Sequence, residues 1–381
     1  MQRKKIIALI LVALIAIMVI DFRINDENVI ADFFMQFETQ SMQQISSMSE
    51  LGINNELNTP EAIRKSSFNY NQTQNIEEFI LNNPVGSVDI EGHDKDSIEV
   101  TYEIKVYARD AEVAEDYLDE INVDYEVSNE EFEIFIETDR PKPSNIKAYE
   151  VEFDIKAPKD LYIDLANKYG KVKVQNFNSG LDLTTKYNAT IVNFVKGNIN
   201  INNKYGSLNV SDLDGQIVID SSYNQNDFKN ITGNLKLETA YTQTYLDNIY
   251  ADVELEGRYG GGNFENLRGD LDLDIKYMGL TMDEVKGKIT GNMEYGEVTV
   301  ESLRNEIDVT SRYSDLKIWM VKDFRDLDVR VKTRHGNLRT DLNLDIMRDD
   351  NTRTITGTTG DGSHEIRIDA SYADVELLYE N

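Results

Sequence analysis

Residues 169 to 222 contain a repeat from which the fold can be predicted. In three blocks of equal length it reads YGKVKVQNFNSGLDLTTK (169–186), YNATIVNFVKGNININNK (187–204) and YGSLNVSDLDGQIVIDSS (205–222). Each block begins with Tyr and lasts 18 residues, and the same spacing continues for six more blocks. The nine tyrosines are Tyr169, Tyr187, Tyr205, Tyr223, Tyr241, Tyr259, Tyr277, Tyr295 and Tyr313. A fixed period of this length indicates a solenoid in which each block is one coil.

The apolar residues within the block indicate which kind of solenoid this is. Counted from Tyr as position 1, positions 6, 9, 13 and 15 are apolar in nearly every block. Positions 13 and 15 have the two-residue alternation of a β-strand. Position 11 is often Gly and position 2 is often Gly or Asn, as corners with a positive φ require. The period therefore predicts a β-solenoid with two or three short strands per coil and a rise of about 4.8 Å per coil.

Two other repeat types are excluded by the same positions. A hexapeptide left-handed β-helix needs an inward residue at every sixth position, whereas the apolar positions 6, 9, 13 and 15 do not share one six-residue phase. A calcium-binding nonapeptide roll needs a Gly-Gly-x-Gly-x-Asp motif, which the sequence lacks.

The rest of the chain divides around this repeat. We predict an all-β protein with a single β-solenoid of 18-residue coils at residues 161–381, including a C-terminal insertion at residues 343–362 that covers its open edge. Residues 68–160 are predicted to form a strand-rich N-terminal cap with one short helix near residues 111–121. Within that cap, the alternating runs at residues 85–90 and 98–106 suggest a β-hairpin.

The N-terminus has the pattern of a membrane segment. Residues 6–20 are apolar without interruption and follow Arg3, Lys4 and Lys5. As a helix they would span about 22 Å, short of a hydrocarbon core of about 30 Å, and the flanking basic side chains can reach the interface. A cleaved signal peptide is the alternative, but no A-x-A site precedes Asp21, and a lipoprotein signal would need Cys. We expect residues 1–22 to be a transmembrane anchor and residues 23–67 a juxtamembrane helix and linker.

This anchor also predicts a location. The basic residues before an apolar segment remain on the cytoplasmic side, so the N-terminus is expected in the cytoplasm and the body outside it. The expected location is therefore the cell membrane, crossed once.

Composition excludes several classes of function. The 39 Lys and Arg against 69 Asp and Glu give a charge of −30, which opposes nucleic-acid binding. The absence of Cys excludes thiol catalysis and cysteine-ligated metals, and three His leave few candidates for histidine chemistry. We expect no cofactor, with calcium as the one ion left open.

The residues that lead into the first coil carry a family resemblance. The segment Ala157-Pro158-Lys159-Asp160-Leu161, followed by Lys168-Tyr169-Gly170-Lys171-Val172, resembles the bacterial "putative adhesin" or toastrack-like family, and so does the segment at residues 82–104 with the helix that follows it. The resemblance covers residues 68–381. It implies a β-solenoid protein of the cell envelope, in a family whose members often accompany envelope-stress or sensory proteins. The strict 18-residue period and the corner Tyr depart from the usual pattern of the family.

The first candidate site is the row of tyrosines with the basic residues that precede them. Stacked aromatic rings beside a basic row could bind glycans or anionic polymers, although such a row also stabilises a fold by itself. The predicted partner-binding residues are Tyr169, Tyr187, Tyr205, Tyr259, Tyr277 and Tyr313, with Lys168, Lys186, Lys204, Arg258 and Lys276.

The second candidate site is a row of carboxylates on successive coils. Position 16 holds Asp220, Glu238, Glu256 and Asp274, and two further acids, Glu254 and Asp272, lie two residues earlier on the same strand face. Opposed like charges would be relieved by a hard cation such as calcium. A solvated acidic face and a glycosidase-type carboxylate pair are the alternatives.

These observations predict a membrane-anchored extracytoplasmic binding or scaffold protein, adhesin-like and without enzymatic activity. Its partners would be the membrane, through the N-terminal helix, and a glycan or an envelope protein. The alternatives are a polysaccharide-acting β-helix enzyme that uses Asp272 and Asp274, and a polymerising envelope scaffold. The sequence does not define an oligomeric state.

Overall fold

The computed structural model describes residues 60–380 of the chain. The predicted transmembrane anchor, the juxtamembrane helix and the first part of the linker lie outside these residues. The described part belongs to one compact unit, Glu61–Asn381. Within residues 60–380, no helix combines the length and the hydrophobicity that crossing a membrane requires.

The structure is built almost entirely from strands, in agreement with the predicted all-β class. In chain order the strands are β1 (Ala62–Tyr70), β2 (Glu78–Asn83), β3 (Val88–His93), β4 (Ile98–Ala108), β5 (Ile121–Ser128), β6 (Glu131–Thr138), β7 (Ile146–Pro158), β8 (Tyr162–Asn167), β9 (Gly170–Phe177), β10 (Gly180–Lys186), β11 (Asn188–Leu267), β12 (Leu271–Asp283), β13 (Ile289–Leu303), β14 (Ile307–Met320), β15 (Leu327–Arg334), β16 (Leu338–Thr340), β17 (Met347–Asp349), β18 (Thr352–Thr359), β19 (His364–Ser371) and β20 (Val375–Tyr379). One α-helix, α1 (Ala111–Leu118), follows β4, and a short 3-10 helix spans Thr73–Asn75.

Each coil stacks in parallel on the next with an offset of 18 residues. Leu181 pairs with Ile199, and Val253 pairs with Leu271. The extended backbone of β11 runs through several coils because it turns at single residues without leaving the ladder. This is the predicted β-solenoid.

The coil turns at two positions where the backbone has a positive φ. From Tyr187 onwards the corner tyrosines adopt it, with φ of 59° at Tyr187 and 61° at Tyr205. Position 8 does the same, with φ of 67° at Asn176 and 54° at Asn230. In three coils the glycine at position 11 has a positive φ as well, at Gly197, Gly215 and Gly233.

The core holds the predicted apolar positions and a polar file that the sequence did not reveal. Positions 6, 9, 13 and 15 are buried in nearly every coil, Gly291 and Val321 being partly exposed. Beneath the corner tyrosines, side chains at positions 2, 4 and 17 are also buried, and from residue 185 to residue 244 most of them are Thr, Asn or Ser. Asn203 donates to the hydroxyls of Thr185 at 2.5 Å and Thr190 at 3.0 Å, and Ser221 donates to Asn226 at 2.7 Å. These hydrogen bonds satisfy groups that would otherwise oppose burial.

The N-terminal cap closes one end of the stack. The order of its strands in space differs from their order in the chain. Strands β2 and β3 form an extra coil that pairs with β8 and β9. Beyond it, β6 and β7 add in parallel on β2 and β3, and β5, β4 and β1 follow as antiparallel strands. The helix α1 packs on β4, β1 and β7, and the Asp110 side chain caps it by accepting from the Glu112 amide at 2.9 Å.

The C-terminal end departs from chain order in the same way. The coil of β19 and β20 inserts between the coil of β14 and the coil of β15 and β16. Strand β18 then pairs antiparallel with β15 along eight residues, and β17 pairs with β18. The insertion therefore covers the edge of the last coil, as predicted.

Two predictions from the sequence, one about a boundary and one about strand pairing, require correction. Residues 62–67 are not linker, because β1 begins at Ala62 and pairs with β4 along its full length. The runs at residues 85–90 and 98–106 do not form a hairpin, because β3 pairs in parallel with β7 and β9, whereas β4 pairs with β7 and β1. The alternation identified strands correctly but did not identify their partners.

Candidate functional site

The corner tyrosines form one continuous stack along the solenoid. From Tyr169 to Tyr313, the centroids of neighbouring rings lie 4.7 to 5.2 Å apart, and their planes differ by 2° to 14°. The coil rise sets this spacing, which suits offset ring stacking. We call these nine rings, together with the rings of Tyr372 and His335 that continue the row, the Tyr ladder.

Two residues that the period does not reach extend the ladder. Tyr372 stacks on Tyr313 at 4.9 Å, and His335 stacks on Tyr372 at 4.7 Å. Tyr372 precedes His335 in space because β19 lies between β14 and β15. The shared corner pattern was visible in the sequence, but the order of the last two rungs was not.

The rings of the ladder are half-exposed. Solvent reaches 43% of Tyr187 and of Tyr223, and 52% of Tyr372. Each ring face lies against a neighbouring ring, so the exposed part consists of ring edges and hydroxyl groups. Burial raises the pKa of Tyr277, and the neighbouring Tyr295 and Tyr259 raise it further, so the hydroxyl stays a neutral donor and acceptor.

The predicted basic row lies beside the ladder, and its members differ in their contacts. The ammonium of Lys168 lies 5.2 Å from the Tyr169 ring centroid, and that of Lys186 lies 5.3 Å from the Tyr187 centroid. Lys276 lies 5.8 Å from the centroids of both Tyr277 and Tyr295.

The other predicted cations do not contact the rings in this way. Lys204 pairs with Asp220 at 3.5 Å. Arg258 is exposed and forms no ion pair with any residue in the described part of the chain. The row therefore combines ring-bound and solvent-facing positive charge.

The predicted acidic residues lie together on one sheet face. Glu254 lies directly opposite Asp272, and Glu256 opposite Asp274, on adjacent strands. Asp272 accepts a hydrogen bond from the Thr290 hydroxyl at 3.1 Å.

A lysine that sequence reasoning missed lies within this face. The ammonium of Lys236 is 3.4 Å from Glu238, 3.2 Å from Glu254 and 3.5 Å from Glu256. Hydrogen bonds to Glu254 and Glu238 raise the pKa of Lys236 above its usual value. Lys236 occupies position 14, as Glu254 and Asp272 do, so the repeat itself contained this signal.

Among residues 60–380, no group of three or more His, Asp or Glu side chains is arranged to hold one metal ion. Of the remaining histidines, His93 bonds the Ser97 carbonyl at 2.7 Å and His364 lies against Phe324. The three histidines do not converge on one another.

Two shallow depressions lie away from the ladder and the acidic face. One of about 360 Å³ is lined by Lys65, Glu103, Phe153, Lys171 and Lys173 among others, at the junction of the cap and the first coils. The other, of about 310 Å³, lies beside Tyr250 and Arg268. Neither contains any of the six predicted carboxylates of the acidic face.

Comparison with solved structures gives distant likenesses. A "putative cell adhesion protein" from Clostridium sporogenes is 11% identical, with a TM-score of 0.20 over 84% of this chain and 100% of that chain. A "putative adhesin" from Parabacteroides distasonis is 9% identical, with a TM-score of 0.22 over 83% and 97%. A "putative lipid binding protein" from the same organism is 11% identical, with a TM-score of 0.25 over 82% and 96%. These values are too low to support a conclusion.

Comparison by sequence is more decisive. None of the curated proteins matches this chain. The family model Toastrack DUF4097, however, matches residues 76–378, which include most of the cap and the whole coil stack. Because this match covers well over half of the 381 residues, the chain belongs to the Toastrack DUF4097 family.

Proposed function

We propose that this protein is a membrane-anchored, extracytoplasmic binding or scaffold protein whose Tyr ladder contacts a linear glycan of the cell envelope. The observation that carries the proposal is the ladder itself, which places nine tyrosines, Tyr372 and His335 in one half-exposed row at a spacing of 4.7 to 5.2 Å.

The exposed chemistry of the ladder favours a glycan that lies along it. Ring faces are covered by neighbouring rings, so a single sugar cannot stack on a face in the middle of the row. Hydroxyl groups recur once per coil, and each can donate and accept a hydrogen bond. Lys168, Lys186 and Arg258 add positive charge beside the row, which suits a glycan that carries acidic groups.

The frame of the ladder also suits binding. Every ring is fixed by parallel pairing to the coils on either side, as at Asn188 with Gly170. A surface that is ordered before binding loses little conformational entropy when the ligand arrives. Weak contacts repeated along the ladder can therefore add up to useful affinity.

The proposed location follows from residues 1–22. An uncleaved apolar segment after three basic residues anchors the chain with its body outside the cytoplasm. Because the chain has no Cys, single engineered cysteines can report on this arrangement. In intact cells we expect Ser363→Cys to react with a membrane-impermeant maleimide, and Gln2→Cys to react only after permeabilisation. The opposite pattern would contradict the location.

The two alternatives receive less support. The hypothesis of a polysaccharide-acting enzyme requires a pair of carboxylates in a cleft, whereas Asp272 and Asp274 are exposed on a sheet face. The polymerising scaffold needs open coil edges, whereas β18 covers β15 at one end and the cap strands cover β2 and β3 at the other.

Tyr-to-Phe substitution tests the proposed contact surface. The full chain in nanodiscs of zwitterionic lipid would be titrated with polysaccharide purified from the envelope of the producing cells. The variant with Tyr169→Phe, Tyr187→Phe and Tyr205→Phe keeps the stack and removes three hydroxyls, so we expect weaker binding. The control with Tyr245→Phe and Tyr250→Phe removes exposed hydroxyls outside the ladder and should bind as the parent does. Equal binding by all three proteins would contradict the proposal.

A further inference from the structure

A second row of side chains lies half a coil away from the Tyr ladder. Position 10 of the repeat is basic in four successive coils near the C-terminal end. These residues are Arg268, Lys286, Arg304 and Lys322, and we call them the basic file. All four are exposed, in a chain whose net charge is −30. Because these four cations occupy one repeat position, they form a positively charged row that is separate from the Tyr ladder.

The backbone holds Arg268 and Lys286 in register, whereas a shift of one residue, at which Leu303 pairs with Met320, precedes Lys322. The amide of Arg268 donates to the Ile249 carbonyl at 2.9 Å, and the amide of Lys286 donates to the Leu267 carbonyl at 2.8 Å. Each turn is thereby tied to the preceding coil. With one cation per coil, the four charges extend over about 15 Å.

Most acidic groups near the file already have partners. The carboxylate of Asp252 accepts from the Asp270 amide at 2.9 Å, and that of Asp270 accepts from the Lys288 amide at 2.8 Å. Glu306 pairs with Lys288 at 3.4 Å.

The file itself is poorly neutralised. Lys286 has a long contact of 3.8 Å with Glu284. Arg268, Arg304 and Lys322 form no ion pair with any carboxylate of the described residues. Asp323 follows Lys322 directly in the chain. Of the carboxylates that have no partner among the described residues, it is the one closest in sequence to the file.

One end of the file has an aromatic neighbour. The guanidinium of Arg268 lies over the ring of Tyr250 at 4.7 Å, and Tyr250 occupies position 10 of the preceding coil. The two residues line the depression of about 310 Å³. The file therefore ends in an ordered cation beside an aromatic ring and a shallow cavity.

We propose that the basic file binds a linear polyanion, whose phosphate or carboxylate groups contact cations on successive coils. A narrow chain fits this surface better than a membrane does. The file is one residue wide and is flanked by Asp270, Glu284 and Glu306, so a broad anionic surface would also meet these carboxylates. A single extended chain can contact the cations and avoid them.

Charge-matched variants test the proposal. The full chain, in nanodiscs of zwitterionic lipid, would be titrated with long-chain polyphosphate and with polygalacturonate in separate arms. The file variant carries Lys286→Gln, Arg304→Gln and Lys322→Gln. The control variant carries Arg109→Gln, Lys156→Gln and Lys171→Gln, three exposed cations of the cap and first coil that form no ion pair among the described residues. Both variants lose three positive charges.

We expect the file variant to bind at least one of the two polymers about tenfold more weakly than the parent, given the usual strength of exposed ion pairs. We also expect a smaller salt dependence, since fewer counterions are released, and the control variant should match the parent. The arm that responds identifies phosphate or carboxylate as the preferred group.

Three results would overturn the proposal. They are equal weakening in the file and control variants, no binding of either polymer by the parent at low salt, and tighter binding to anionic vesicles than to both polymers with the same dependence on the file. The triple Tyr-to-Phe variant should bind polyphosphate, which is not a glycan, as the parent does, so failure of the ladder proposal and failure of this one can be told apart.

Discussion

At the scale of the residue, each corner tyrosine combines an unfavourable backbone conformation with favourable ring contacts. Tyr223 has φ of 59°, a region that bulky side chains seldom adopt. Its ring stacks on Tyr205 at 4.9 Å and on Tyr241 at 4.8 Å. The stacking on both sides offsets the cost of the backbone, which explains why the position can be Tyr in nine successive coils.

This balance predicts an unusual order of substitutions at Tyr223. Leu keeps the strained backbone and loses two ring contacts of about 0.5–1.5 kcal/mol each. Gly loses the same contacts but relieves about 1–2 kcal/mol of left-handed strain. We therefore expect Tyr223→Gly to be less destabilising than Tyr223→Leu by about 1 kcal/mol, part of the relief being lost to the greater flexibility of unfolded Gly. Denaturant unfolding of the two variants measures this, and the reverse order would contradict it.

The acidic face predicts a calcium response that depends on one lysine. Lys236 already supplies positive charge to Glu238, Glu254 and Glu256. We expect the melting midpoint of the parent to be the same with calcium and with chelator. Lys236→Gln leaves the three carboxylates without that charge, so calcium should raise its midpoint. Lys332→Gln, at a partly exposed lysine of β15 that forms no ion pair among the described residues, serves as the control. A calcium-dependent midpoint in the parent would instead support a native cation site.

Asp164 predicts a pH dependence of stability. Burial raises the pKa of Asp164, and the neighbouring Asp182 raises it further. A raised folded-state pKa means that the protonated form favours folding. This contribution is complete below the unfolded pKa of about 3.9 and is lost as the pH rises through the folded pKa.

We accordingly expect Asp164→Asn to raise the melting midpoint at pH 7 and to give no gain near pH 3. The exposed Asp139→Asn should change neither value. A gain for Asp164→Asn of equal size at both pH values would show that ionisation is not the cause.

At the scale of the element, the sequence predicted strands better than their partners. The 18-residue period predicted both the length of each coil and the coil with which it pairs, because equivalent residues of successive coils must pair. Outside the period this information is lost, so β3 and β4 were predicted to pair and do not. The same loss concealed the insertion of β19 between β14 and β15. The polar file at Asn203 was missed because small polar residues do not look like core residues until their periodic position is traced.

The edge strand β18 predicts a change in association when it is displaced. Ile355 is fully buried in β18, which covers the outer edge of β15. Ile355→Lys should detach β18 and expose unpaired backbone groups that can pair with another molecule. We expect concentration-dependent self-association in sedimentation velocity. Met347→Lys changes a side chain that is 59% exposed in β17 and should sediment as the parent does. A monomeric, folded Ile355→Lys protein would contradict the protective role of β18.

At the scale of the whole molecule, length and surface are linked. The solenoid has one narrow core, so adding or removing a coil changes the number of ladder rungs without creating a new core. The nine equally spaced tyrosines therefore specify both the architecture and the length of the proposed glycan-binding surface. The sequence predicted this ladder and its basic neighbours, but not Lys236 within the acidic face or the rungs contributed by Tyr372 and His335 in their spatial order.

Removal of whole coils tests whether the number of ladder rungs sets the affinity for the glycan. Deletion of residues 205–222 or of residues 205–240 joins Lys204 to another corner tyrosine and keeps the register. Deletion of residues 205–213 removes half a coil and should prevent folding, which controls for the repeat. The measurement is the affinity of each folded deletion for the envelope polysaccharide. At about 0.5–1.5 kcal/mol for each lost hydrogen bond, we predict weaker binding with one coil removed and still weaker binding with two. Undiminished affinity in a folded two-coil deletion would contradict the account.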